Sequence, residues 1–249
     1  METIYKRPSS LSEAPSSYCP GCMHSTVNKL ISEVLDELGV TGKSVIVLPV
    51  GCAVNSAPYL TCDHIIAAHG RAPAVATGIK RCKPDQIVIS YQGDGDLASI
   101  GMCETIHAAN RGENILVIFI NNSIYGMTGG QMSPTTLIGQ ASTTGGSSRD
   151  PEINGYPIHV CELINQIKAP KYIARFALNN VVNTRKAKAG IKHAIELQMS
   201  GKNNYCFIEL LTNCPTNWKC TPAESLEFMK KMTMAEFPQG VLRDVTEAK

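Results

Sequence analysis

No stretch of this 249-residue chain carries the roughly 20 consecutive apolar residues that a membrane-spanning helix needs, which speaks against the membrane as a partner. The first 17 residues are polar, with Lys6, Arg7, two prolines and several serines. They lack the apolar core of a secretory leader, so the expected compartment is the cytoplasm. Charge of one sign is also missing as an excess. Lys and Arg number 23 against 21 Asp and Glu, a net charge of +2, which offers no electrostatic basis for binding nucleic acid or a membrane surface. Internal repeats, low-complexity tracts and interdomain linkers are absent, and the expected organisation is one domain over 1–249 with an irregular arm at 1–18. A Gly-x-Gly-x-x-Gly after a strand and a Walker-type lysine are lacking too, which leaves nicotinamide and ATP chemistry without support.

What is present is a composition 43% hydrophobic, ample for a buried core. Residues 26–38 place Val27, Leu30, Ile31, Val34, Leu35 and Leu38 on one helical face, and Gly39 ends the helix. The run 44–50 is continuously apolar and β-branched, as in a strand buried on both faces. A short strand at 64–68 and a helix at 72–82 follow. A strand at 86–91, a helix at 97–110 and a strand at 114–120 form a parallel crossover. Residues 126–150, rich in Gly, Ser and Thr, read as a long functional loop. A helix from 161, a strand at 172–177, a helix at 184–199 and a strand at 205–211 complete the set. The expected fold is α/β, a doubly wound and mostly parallel sheet with helices on both faces, with ligands beyond the carboxyl ends of its strands.

Two features carry chemistry. The strand at 86–91 runs into Gly93-Asp94-Gly95-Asp96, and the parallel strand at 114–120 runs into Asn121-Asn122. Asp94, the Asn122 amide oxygen and a backbone carbonyl near Ile124 offer hard oxygen ligands at one sheet edge. Mg²⁺ holding a substrate's phosphates asks for such a set. Gly93 and Gly95 let the backbone approach a diphosphate, and the next helix turns free N–H groups toward it. A lone Gly-Asp-Gly is usually a turn; paired with Asn-Asn at this spacing it matches a thiamine-diphosphate motif.

The second feature is ten cysteines. In a reducing compartment closely spaced cysteines are more often metal or cluster ligands than disulfides. Cys19 and Cys22 form a Cys-x-x-Cys turn, while Cys52 and Cys214 each follow a buried strand. Cys220 rivals Cys214 for a fourth place. Spacing alone leaves zinc and an iron–sulfur cluster equally open. Cys62, Cys82, Cys103, Cys161 and Cys206 stand singly among apolar residues and are expected to pack in the core.

Cys-Pro-Gly-Cys22, Val-Gly-Cys52, His-Gly-Arg71, Gly-Asp-Gly-Asp96, Asn-Asn-Ser-Ile-Tyr-Gly-Met-Thr-Gly-Gly-Gln131 and Ser-Pro-Thr-Thr136 follow one another in one order. Over nearly its whole length the chain resembles the β subunit of 2-oxoacid:ferredoxin oxidoreductases, and Glu-Leu-Leu-Thr-Asn-Cys-Pro-Thr-Asn-Trp218 resembles the 2-oxoisovalerate or 2-oxoglutarate branch. The resemblance implies a thiamine-diphosphate-binding fold in which Cys19, Cys22, Cys52 and Cys214 hold a [4Fe–4S] cluster. It implies that Asp94, Asn122 and Ile124 serve Mg²⁺, and that His69 and Gly70 lie against the diphosphate. Cofactor contacts are further expected from Gly93, Gly95, Asp96, Tyr125, Gly126, Met127 and Thr128. The implied reaction is oxidative decarboxylation of a 2-oxoacid with coenzyme A, giving acyl-CoA and CO₂, with electrons passing through the cluster to ferredoxin. A branched-chain substrate leads, and 2-oxoglutarate and pyruvate stay open. The implied partners are an α subunit, which would supply an activating glutamate, and γ and δ subunits in larger assemblies. Two departures stand out: Met23, where relatives commonly carry Gly, and Gly129, where some carry a Lys able to meet a second carboxylate. The rivals are a non-redox thiamine decarboxylase or lyase with structural or zinc-binding cysteines, and a scaffold subunit that kept a cluster and lost the cofactor.

Overall fold

The β-branched runs of the chain become the interior of one sheet, as a computed structural model describing residues 6–145 and 148–246 shows. In chain order the elements are α1 (His24–Glu37), β1 (Ser44–Leu48), β2 (Asp63–Ile66), α2 (Ala72–Cys82), β3 (Ile87–Gly93), α3 (Met102–Arg111) and β4 (Leu116–Asn121). Then come α4 (Pro151–Asn154), α5 (Val160–Asn165), β5 (Tyr172–Ala177), α6 (Val181–Ser200) and β6 (Cys206–Leu211). The chain closes with α7 (Pro215–Trp218), α8 (Pro222–Phe228), α9 (Met234–Glu236) and β7 (Gly240–Asp244). The strands lie in the order β2-β1-β3-β4-β6-β5-β7. All neighbouring pairs are parallel except β5 with β7.

Because side chains alternate along a strand, each strand feeds two cores. Ile46, Ile89, Ile118 and Ile208 face α1 and α6, and Val47, Val88, Val117, Phe119 and Phe207 face α2, α3 and α5. The doubly wound expectation holds. Chain order reverses between β1 and β3, so the switch-point crevice opens beyond their carboxyl ends, where Gly51-Cys52 and Gly93-Asp94 lie.

Three local readings change. The helix expected at 97–110 is split: Asp96–Ile100 forms a wide π turn closed by the Gly101 N–H on the Asp96 carbonyl (2.8 Å), and α3 starts afresh at Met102. Cys82 and Cys103 are exposed rather than in the core, since they fall on the solvent sides of α2 and α3; Cys62, Cys161 and Cys206 are buried as expected. The antiparallel edge strand β7 and the helices after Trp218 had no counterpart in the periodicity. Thr221 and Glu224 form a capping box that starts α8. Residues 1–5 of the arm and 146–147 of the long loop lie outside the described residues.

Candidate functional site

The crevice is walled by segments that leave four strands: 50–53 after β1, His69 after β2, 93–96 after β3 and 122–128 after β4. Every candidate cofactor residue borders it except Gly70. Asp94 is its most deeply buried carboxylate, 2% exposed. Oδ2 accepts hydrogen bonds from the Ile124 N–H (3.0 Å), Ser133 Oγ (3.0 Å) and Thr135 Oγ1 (2.8 Å), while Oδ1 accepts only from the Gly95 N–H (2.8 Å). Burial pushes this carboxyl up to about 6, in spite of the four donors. Next to it on β4's end, Asn122 Oδ1 is buried with no hydrogen-bond partner among the described residues. An amide oxygen stripped of water costs about 1–3 kcal/mol unless something replaces the lost bond. An incompletely used carboxylate and an orphaned amide oxygen are hard-oxygen donors of the kind that could hold a small divalent cation.

The turn that presents Asn122 is itself held from below. Asn121 sends its amide N–H to Glu209 (2.7 Å) and accepts the Ser123 N–H (3.1 Å), which keeps Ser123 in the left-handed region at φ 57°. Thr136 Oγ1 donates to the Ser123 carbonyl (2.6 Å), and the Trp218 indole donates to the Asn122 carbonyl (3.2 Å).

Asp96 takes a supporting position. One oxygen bonds His69 Nδ1 and accepts the Gly70 N–H (2.7 Å); the other accepts from Gln92 Nε2 (2.6 Å). The Gly70 N–H is therefore committed to a carboxylate and is not turned to the crevice. The Gly95 N–H is likewise committed, to Asp94, so the free N–H groups expected after Gly93 are fewer than the motif implies. Gly95 is needed for space: a Cβ there would enter the ring of Tyr125, whose hydroxyl donates to the Gly95 carbonyl (3.0 Å).

Cys19 and Cys22 form a turn closed by the Cys22 N–H on the Cys19 carbonyl (3.0 Å), just ahead of α1. Cys52 opens the turn after β1, and Cys214 follows β6. Cys22, Cys52 and Cys214 each feel neighbouring thiols. Burial pushes Cys22 up to about 11, with Cys214 and Cys19 adding to it, and Cys52 up to about 12, with Cys22, Cys214 and Cys19 adding. Burial also raises Cys214, against the pull of the Asn217 backbone and side-chain N–H groups. Gly126 is wedged between two of the sulfurs, since a Cβ there would lie 3.3 Å from Cys52 Sγ and 3.6 Å from Cys214 Sγ. Cys220, the rival, is raised by its own burial and then by Glu224, with none of the four thiols acting on it. Among the described residues no three His, Cys, Asp or Glu side chains stand close enough to share one metal ion. Met23 caps α1, packs into the core and donates its N–H to Asn213 Oδ1 (3.3 Å).

Sequence reasoning gave no role to Ser133 and Thr135, the hydroxyls on Asp94, although the Ser-Pro-Thr-Thr136 motif contains them. It also missed Asn217, and Arg149, whose buried guanidinium donates to the carbonyls of Ser133, Pro134, Thr136, Asn154, Gly155 and Tyr156. Arg149 thereby ties residues 133–136 to residues 154–156. The only signal of it was a lone arginine in a Gly/Ser/Thr-rich stretch.

Residues 42–209 match the family model described as the C-terminal TPP-binding domain of thiamine pyrophosphate enzymes. The chain is 47% identical, over 98% of its length, to the ketoisovalerate oxidoreductase subunit VorA of Methanothermobacter thermautotrophicus, and spans 51% of that longer relative. It is 35% identical to the 2-oxoglutarate synthase subunit KorB of Methanocaldococcus jannaschii, covering 87% of this chain and 78% of the relative. A solved 2-oxoglutarate:ferredoxin oxidoreductase from Magnetococcus marinus shares the fold, with a TM-score of 0.78 at 24% identity over 99% of this chain and 87% of that one. Family model, relatives and crevice agree: the chain belongs to the thiamine-pyrophosphate-binding subunits of the 2-oxoacid:ferredoxin oxidoreductases.

Proposed function

We propose that this chain is the β-type subunit of an enzyme that oxidatively decarboxylates a branched-chain 2-oxoacid with coenzyme A and passes the electrons to ferredoxin. The observation that carries the reading is the orphaned Asn122 Oδ1 beside the Asp94 carboxylate, in a crevice that Cys52 also lines. Asp94, Asn122 and the Ile124 carbonyl would hold Mg²⁺, and the segments 93–95 and 125–128, with His69, would face the diphosphate. Cys19, Cys22, Cys52 and Cys214 would hold a [4Fe–4S] cluster. When bound, thiamine diphosphate supplies an electron sink for decarboxylation and the cluster supplies one-electron transfer. The chain's own work is to bind and orient. Ser133, Thr135 and the Ile124 N–H keep Asp94 aimed, Asn121 and Trp218 fix the Asn122 turn, and Gly126 lets the thiols close in.

A branched aliphatic substrate is supported by Val50 and Met127, partly exposed apolar side chains of the crevice, and by the absence of Lys or Arg among its described lining residues. The ketoisovalerate relatives, at 47–48% identity against 33–38% for the 2-oxoglutarate ones, point the same way. No glutamate lies among those lining residues either, so the activating glutamate is assigned to a partner α subunit. The chain acts as one thiamine-diphosphate-binding unit of a larger assembly.

The test is iron and acid-labile sulfide per chain after anaerobic purification, with a low-temperature EPR spectrum of the reduced protein. About four of each, with a reduced-cluster signal, is the expected outcome for Cys₄ ligation. Zinc, or no metal in a chain that still binds thiamine diphosphate, overturns the redox reading and favours a non-redox decarboxylase. In the complete complex, 2-oxoisovalerate should outpace 2-oxoglutarate and pyruvate, and turnover by this chain alone would refute the shared site.

A further inference from the structure

One side chain joins the thiol group to the cofactor loop without belonging to either. Asn217 sits in α7, three residues after Cys214. Its Nδ2 donates both to Cys214 Sγ (3.3 Å) and to the Gly126 carbonyl (2.8 Å). Two acceptors on one nitrogen fix which end of the amide is which: rotated, the amide would point its oxygen at a carbonyl oxygen and a sulfur. On the other side of the amide, a Cβ added at Gly130 would lie 3.3 Å from Asn217 Oδ1, so both ends of the amide meet the 126–130 stretch. Its neighbour Trp218 performs the parallel task for the Asn122 carbonyl. The short α7 thus grips the cluster-side loop with one residue and the metal-side turn with the next.

We infer that Asn217 is a positioning residue that sets the reduction potential of the group bound by Cys214, by donating an N–H···S hydrogen bond to that ligating sulfur. The inference rests on the cluster assignment above. Reduction adds an electron and makes the ligating sulfurs more negative, so a donor aimed at one of them stabilises the reduced form more than the oxidised form. Hydrogen bonds to the sulfurs are one of the levers that set such potentials. Removing the donor must lower the midpoint. A purely structural Asn217 would alter folding or cluster content and leave the midpoint where it was.

The experiment is an EPR-monitored potentiometric titration of the anaerobically purified full chain, wild type against Asn217→Leu and Asn217→Asp, with iron and sulfide measured on each. Leu keeps the volume and removes both donors; Asp keeps the shape, removes the N–H and adds a negative charge beside the sulfur. The expected result is four irons per chain throughout, with the midpoint lowered in Asn217→Leu and lowered further in Asn217→Asp. Trp218→Phe, which removes the bond to Asn122 and trims the packing on Phe228 without touching a sulfur, should leave it unshifted. If Asn217→Leu fails to assemble the cluster, Asn217→Asp carries the test by itself. An unchanged or raised midpoint in whichever variant assembles overturns the inference while the cluster reading stands. Wild-type chain that binds no iron overturns both.

Discussion

Two carboxylates lie equally deep in this sheet and are treated in opposite ways. Glu209, on β6, is fully buried and sits in register with Arg175 on β5, whose Nε donates to it (2.7 Å). Arg175 also forks onto Glu162 (2.8 and 2.6 Å), and burial's tendency to discharge it is outweighed by those two carboxylates, which hold its pKa above the ordinary arginine range. Asp94, at the end of β3, has four donors and, among the described residues, no cation as a hydrogen-bond partner. The fold neutralises one buried charge with a cation and meets the other with hydrogen-bond donors alone, as the proposed Mg²⁺ site would require. A carboxylate that is hydrogen-bonded and uncompensated marks a binding site; one that is ion-paired marks architecture.

That contrast can be broken at several points. The largest effect is expected from Arg175→Met, which strands Glu209 in the core: unfolding in urea should show a loss of about 3–5 kcal/mol. The double variant with Glu209→Gln should regain much of it, and a single variant of near wild-type stability would mean the pair is not the internal counter-charge claimed. Next is Asp94→Asn. Calorimetry should show Mg²⁺-dependent thiamine diphosphate binding weakened by roughly 100-fold or more, since a direct ligand is worth more than the groups behind it. The apoprotein should not lose stability, because an uncompensated buried charge has been removed. Thr135→Val sharpens the same point one step back: it takes away a single donor to Asp94 Oδ2, and roughly a 10-fold loss in Mg²⁺ affinity is the expected outcome.

The smallest effect concerns a third carboxylate, Glu113, paired internally like Glu209 but near the surface, with Arg81 at 2.5 Å and Arg111 at 2.6 Å. Burial alone would raise its pKa; the two guanidiniums overcome this and lower it below 4.5. A depressed carboxylate pKa contributes stability above the unfolded value and loses it as pH falls through the folded one. Glu113→Gln should therefore flatten the acid limb of the stability profile below about pH 4.5 and cost no more than about 1 kcal/mol at neutral pH, the range of exposed ion pairs.

Much of the molecule was legible before any coordinates. β1, β3, β4, β5 and β6 are runs of β-branched and aromatic residues whose partners are simply more of the same, so local composition suffices to find them. β7 escaped because Gly240–Asp244 is an edge strand with exposed residues, stabilised by pairing with β5 and by Arg243 donating to the Ile167 carbonyl (2.6 Å). Cys82 and Cys103 were misjudged because an apolar neighbourhood in sequence says little about which side of a helix one residue occupies. The wide turn at Asp96–Ile100 was invisible, since it serves to bring Asp96 under His69 and Gly70.

The sequence by itself determined the alternation of strand and helix, the parallel crossover, and the arrival of Asp94, Asn122, Cys52 and Cys214 at strand ends. Those follow from side-chain period and turn residues, which act over a few positions. Only the tertiary structure decided which polar groups find partners. Thr135 reaches Asp94 across 41 residues of chain, Asn121 reaches Glu209 across 88, and Asn217 reaches Gly126 across 91, while Asn122 Oδ1 finds no partner among the described residues. Hydrogen bonds are short-ranged and directional, so whether a group is satisfied depends on strand register and loop packing that no local pattern encodes.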